Sequence, residues 1–132
     1  MGAWGTGTFE NDDALDWIAD FCESPSEGDL VAALSAAADV DGYVEAPDAA
    51  NALAAAEVVA ALKGAPTDSA VIADYLPVME QAGIRPTDVL MALTLRAIDR
   101  VVSNSELKEL WDEVDDSPAW YAAVAALRER VA

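Results

Sequence analysis

The sequence predicts an all-α protein, a single compact bundle of about six or seven short helices formed by residues 1–132, with an ordered glycine and aromatic segment at its N-terminus. Three observations predict it. Ala and Leu dominate the composition, β-branched runs are rare, and apolar residues recur at helical rather than alternating spacing. The length makes one domain, able to bury roughly two thirds of the surface an extended chain exposes.

The first helix is predicted over residues 12–23, with Asn11 as N-cap, Asp12 and Asp13 at the positive end of the helix dipole, and Pro25 as the stop. At about 100° per residue, Asp12, Asp13, Asp16, Asp20 and Glu23 share one sector, while apolar residues including Trp17, Ile18, Phe21 and Cys22 occupy the rest. A second helix is predicted over 29–38, capped near Ser26, running into the turn-rich Asp39-Val40-Asp41-Gly42-Tyr43 with Gly42 as the turn residue. The third, over 47–62, starts on Pro47 and stops at Gly64 and Pro66; its many alanines invite close helix approach. In the fourth, over 69–81, Pro77 lacks an amide hydrogen and is expected to kink or divide the helix before Gly83 closes it. The fifth, over 87–102, is apolar around most of its circumference, with Asp88, Arg96, Asp99, Arg100 and Ser103 in one stripe, and is expected at the centre of the bundle. The last two cover 105–114 and 118–131, with Trp111 and Trp120 as anchors. No internal repeat or long linker interrupts the pattern.

Charge narrows the function classes. The chain carries 25 Asp and Glu against seven Lys and Arg, a net charge of −18. Such a surface repels phosphate backbones and anionic lipid headgroups, so neither nucleic acid nor membrane is an expected partner. With no His and Cys22 alone among thiols, neither a usual zinc site nor a disulfide framework can be built. The nearly apolar stretch 52–62 is too short to span a bilayer and is interrupted by Glu57. The opening lacks the basic and apolar regions of a secretory signal, which makes the cytoplasm the expected compartment. Gly2 and Thr6 have the spacing of an N-myristoylation motif, but no basic patch supplies a second anchor. The charge is uneven: residues 1–62 hold 13 acids and no Lys or Arg, and residues 63–132 hold 12 acids and all seven basic residues. That asymmetry favours docking of the two parts and leaves the first more strongly acidic.

The opening run from Gly2 to Trp17, GAWGTGTFENDDALDW, resembles the signature of a bacterial family catalogued as domain of unknown function 4259. Glu45-Ala46-Pro47-Asp48, the run from Ala54 to Leu62, and Ser105-Glu106-Leu107-Lys108-Glu109-Leu110-Trp111 are also similar to it, so the likeness covers most of the chain. The opening is the specific part; the alanine-rich run is weaker, since composition alone can mimic it. Thr8 stands where many members have Pro, a departure that touches the turn geometry. The resemblance implies small cytoplasmic bacterial proteins without an established activity, and no catalytic role carries over.

Four constellations merit weighing. The Gly2, Gly5, Gly7 spacing has the look of a phosphate loop, but it follows no predicted strand, lacks the Lys, and precedes Glu10, Asp12 and Asp13, which repel phosphate. Tight turning that lets Trp4 and Phe9 bury against the first helix is the simpler reading. In the acid stripe, Asp12 with Asp16 and Asp16 with Asp20 are like-charge pairs one helical turn apart, each costing about 0.2–0.5 kcal/mol unless a cation compensates. A solvated face is the simplest explanation; a docking face for a basic partner is the functional one, and Arg96 and Arg100 could satisfy the stripe internally. A divalent cation fits poorly, because Asp39-Val40-Asp41-Gly42 is out of register with an EF-hand loop; no metal and no cofactor is expected. Glu57 falls on the helical wheel among Ala50, Leu53, Ala60 and Ala61, so burial is expected, with Arg96, Arg100, the Trp4 indole or amides of the glycine segment as candidate partners.

Enzyme signatures are otherwise missing. There is no nucleophile elbow, the absence of His removes the usual triads, and Cys22 reads as an inert buried thiol. The expectation is a non-enzymatic protein-binding module with an anionic docking face formed by Asp12, Asp13, Asp16 and Asp20, joined by the 39–48 connector with Asp41 and Tyr43. An inhibitor or immunity protein masking a basic site is one form of it. The rival is a carboxylate-dependent hydrolase with Glu57 and first-helix acids in a cleft.

Overall fold

A computed structural model of the protein describes residues 5–132; the expectations placed on Gly2 and Trp4 lie outside them. Among the described residues are seven helices: α1 (Asp12–Glu23), α2 (Glu27–Ala38), α3 (Ala46–Leu62), α4 (Ala70–Gln81), α5 (Asp88–Ser103), α6 (Glu106–Asp112) and α7 (Ser117–Val131). An isolated parallel bridge joins Val44 and Ser105. The architecture is the predicted all-α bundle.

Local chemistry sets the helix starts. The Asn11 side chain accepts from the Ala14 amide at 2.9 Å, and Ser26, Ser69, Thr87 and Ser105 cap α2, α4, α5 and α6 in the same manner. Because Ser26 is the cap, α2 begins at Glu27, two residues before the predicted start. Gly42, Gly64 and Gly83 all have positive φ, which explains why these glycines punctuate the chain. Pro77 does not divide α4. Pro77 and Ala73, whose carbonyl loses its helical donor there, are both exposed, so water can take over the acceptor.

The expected centre of the bundle is corrected. It is α3, not α5, that packs against every other helix. Twelve residues of α3 are buried, against five of α5. A helix apolar on all sides belongs inside, and alanine lets several backbones approach at once. Although α5 has a broad apolar face, its Arg and Asp stripe keeps one side at the surface, where it packs on α2, α3, α6 and α7. Around α3 the largest fully buried side chains come from every other long helix: Ile18, Leu30, Ile72, Leu90, Ile98 and Leu127. Trp111 and Trp120 are buried and stacked, with ring centroids 6.3 Å apart, closing the α6–α7 end.

The connector between α2 and α3 is fastened to the α5–α6 corner. Arg100 donates to the carbonyls of Ala38, Val40 and Gly42, and the Asn104 amide to Gly42 O at 3.0 Å. Across the same corner the Val44 amide donates to the Asn104 carbonyl at 3.1 Å and the Glu106 amide to the Val44 carbonyl at 2.8 Å, and the Glu106 carboxylate accepts from the Ala46 amide at 2.8 Å. A segment that reads as a loose acidic turn is therefore held from two sides.

Candidate functional site

The candidate site residues fall in three places: a buried ionic node at Glu57, an exposed acidic face on α1, and the connector between α2 and α3 with Asp41 and Tyr43. Glu57 is 3 % exposed, in the middle of α3. Its carboxylate accepts two bonds from Arg130 of α7, Nη1 to Oε2 at 2.9 Å and Nη2 to Oε1 at 3.1 Å, and one from the Thr8 hydroxyl at 3.2 Å. Arg130 also donates to the Ala65 carbonyl. This fork-to-fork pairing is the geometry in which a carboxylate and a guanidinium compensate each other's loss of water. The expected partners of Glu57 are thus corrected. Arg96 and Arg100 are occupied elsewhere, and the one amide of the described glycine segment seen bonding a carboxylate, that of Gly7, donates to Glu10 at 3.0 Å. A Cβ on Gly5 or Gly7 would meet the end of the Glu10 side chain, which is exposed and able to swing away. Phe9 is buried, as the simpler reading of this segment requires.

Open clefts of about 470 and 390 Å³ flank the node, the first reaching Glu10 and the second Asp68. Within them Glu57 presents oxygens already engaged by Arg130 and Thr8. What the arrangement does chemically is tie the N-terminal segment, α3 and α7 together. No acid of α1 lines either cleft, so the first-helix acids and Glu57 are not brought to one site.

On α1, Asp12, Asp13, Asp16 and Asp20 are all exposed, opposite buried Ala14, Ile18 and Phe21. No cation among the described residues bonds to any of the four. Arg96 pairs with Asp39 at 3.0 Å, Lys108 with Asp112 at 2.7 Å, Arg128 with Asp99 at 2.8 Å, and Arg130 with Glu57. Lys63 donates to the terminal carbonyls of α7, and Arg100 holds the connector. Asp41 is exposed, and Tyr43 is 41 % exposed; the Tyr43 hydroxyl donates to Glu109 of α6 at 2.8 Å. That bond, and burial and the nearby carboxylates of Glu109, Glu106 and Glu45, push the phenol up to about 12. The structure thus attaches Tyr43 to α6, while Asp48, in the first turn of α3, lies near Asp20 of α1. A groove between α1, α2 and α3 is lined by Trp17, Asp20, Asp29 and Asp48.

Cys22 is only half-buried, and desolvation pushes its thiol up to about 11, which leaves it protonated near neutral pH. Among the described residues no group of three or more potential metal-ligating side chains is close enough to hold an ion. No described helix is long and apolar enough to cross a membrane. Sequence reasoning missed Arg130 and Asp29, and reached Asp48 only as the end of the 39–48 connector. Arg130 had no local signal, since 73 residues separate it from Glu57; Asp29 and Asp48 sit in the first turns of α2 and α3, where acids are explained by the helix dipole alone.

Fold and geometry together define a small all-α bundle built on a buried alanine-rich helix, with an ionic tie inside and carboxylates free on one face. The chain belongs to the family described as domain of unknown function (DUF4259), whose family model matches residues 2–123. The match ends before Arg130, so the cation of the buried pair lies outside it. No curated protein and no solved structure matches the chain.

Proposed function

We propose that this is a non-enzymatic protein-binding module of the bacterial cytoplasm that uses the acidic face of α1 to engage a basic protein surface. One observation carries the reading: Asp12, Asp13, Asp16 and Asp20 are exposed and draw no cation from the described fold, although six of the seven basic residues make polar contacts elsewhere. Like charges one turn apart oppose helix formation, and a partner's Lys and Arg would relieve that repulsion while speeding encounter. An inhibitor or immunity protein that covers a basic site is the form this chemistry serves most directly. The rival, a carboxylate-dependent hydrolase at Glu57, draws less support, because both Glu57 oxygens accept bonds from Arg130.

The test is capture of a partner from lysate of the source organism at low and high salt, with the captured protein identified by mass spectrometry. A basic partner retained at low salt, released at high salt, and lost with Asp13→Asn/Asp16→Asn/Asp20→Asn is the expected result. Capture that survives those three changes places binding on another face and defeats the reading.

A further inference from the structure

The groove between α1, α2 and α3 has features that the acid stripe alone does not. Along α2 it is lined by Asp29, Ala32, Ala33 and Ala36, spaced as one helical face about 10 Å long. The alanines leave a trough of about 380 Å³ instead of filling it. On the α1 side stands Trp17, partly exposed and stacked on buried Phe21 at 5.1 Å between centroids, which fixes the indole plane. Three exposed carboxylates, Asp20, Asp29 and Asp48, come from three different helices, and none of them bonds to a cation among the described residues. Asn51 of α3 completes the wall.

We infer that this groove seats an arginine side chain of the basic protein partner and is the anchoring point of the docking face. The inference rests on the interaction reading above and names its recognition chemistry. Apolar walls suit the arginine's methylene stem, a held indole face suits its planar guanidinium, and carboxylates at the rim suit its forked donors. Lysine lacks the plane and the fork, and its compact, strongly hydrated charge gains less from the indole. A phosphate-bearing occupant is opposed by all three aspartates.

The experiment uses the intact, isotope-labelled chain and an acetylated hexa-arginine amide as the probe, followed by amide and indole chemical shifts. Shifts centred on the Trp17 indole and the amides of 29–36 are expected, with hexa-lysine several-fold weaker. Asp29→Asn/Asp48→Asn, two surface changes outside the α1 stripe, should weaken binding about tenfold. Asp12→Asn/Asp13→Asn/Asp16→Asn, outside the groove, should weaken it only a few-fold and mainly at low salt. Shifts spread evenly over the acidic surface, or a groove variant that binds like the parent while the stripe variant does not, overturn the groove and leave the docking face standing. Equal binding of hexa-lysine overturns the choice of arginine. Loss of effect from both variants and from salt sinks the groove and the docking face together.

Discussion

The most consequential single residue is Glu57, because a carboxylate at 3 % exposure has no water to fall back on. Its partner Arg130 keeps about a quarter of its side chain at the surface. The two halves of the pair are therefore unequal, and so are the expected effects of removing them. Arg130→Ala strands a buried charge and should cost about 3 kcal/mol in urea unfolding, near the low end for a broken buried pair. Glu57→Gln leaves Arg130 able to reach solvent and should cost distinctly less. Equal losses from the two substitutions would show that the asymmetry of burial does not govern the node. At Gly42, φ of +82° puts an added Cβ in the left-handed region although nothing else stands within 4 Å. Gly42→Ala should then cost about 1 kcal/mol through backbone strain alone, measurable in the same unfolding experiment.

Among the helices, α4 commits the smallest share of its length to the core, burying Ile72 and Met79 of its 12 residues, and it carries Pro77 without breaking. Pro77→Ala restores an amide donor to an exposed helix interior and should raise stability by about 2 kcal/mol, seen as a higher denaturation midpoint. A neutral or destabilising result would mean that the proline's restriction of the unfolded chain outweighs the missing bond. Where α6 meets α7, Asp112 accepts from Lys108 at 2.7 Å and from Tyr121 at 2.8 Å. The Lys108 bond, then the Tyr121 bond, hold the Asp112 carboxyl below its ordinary 3.8. Its folded pKa is depressed, so its contribution to stability is present above the ordinary carboxyl value and is lost as pH falls through the lowered one. A carboxyl NMR titration should place its midpoint below 3.8, and Lys108→Ala should move it back up.

At the level of the entire bundle, the −18 charge acts as self-repulsion that burial of the α3 core must overcome. Adding monovalent salt should raise the melting temperature by a few degrees up to about physiological ionic strength and then level off, as the Debye length shrinks to about 8 Å. A melting temperature that falls over that range would mean that attraction in ion pairs such as Arg130–Glu57 outweighs the self-repulsion. The acidic face and the ionic node also divide the molecule's charges by purpose. All seven cations sit in the second part of the chain; two of them pair with Asp39 and Glu57 of the first part, others hold the second part's own elements or the connector, and none reaches the α1 carboxylates among the described residues.

Helix type, order and most boundaries were legible beforehand, because caps such as Asn11 and Ser26, stops such as Gly64 and Gly83, and the 3.6-residue apolar period all act within a turn or two of the chain. So was the burial of Glu57, from its place on the wheel among alanines. The central position of α3 was not legible, since an apolar surround marks both α3 and α5 and only packing shows which one the others enclose. Nor was the choice of Arg130 for Glu57, or the meeting of Trp17, Asp29 and Asp48 in one groove. Those depend on where helices cross, and crossing geometry is decided by side chains far apart in the chain once they share a core, not by any pattern a single segment carries.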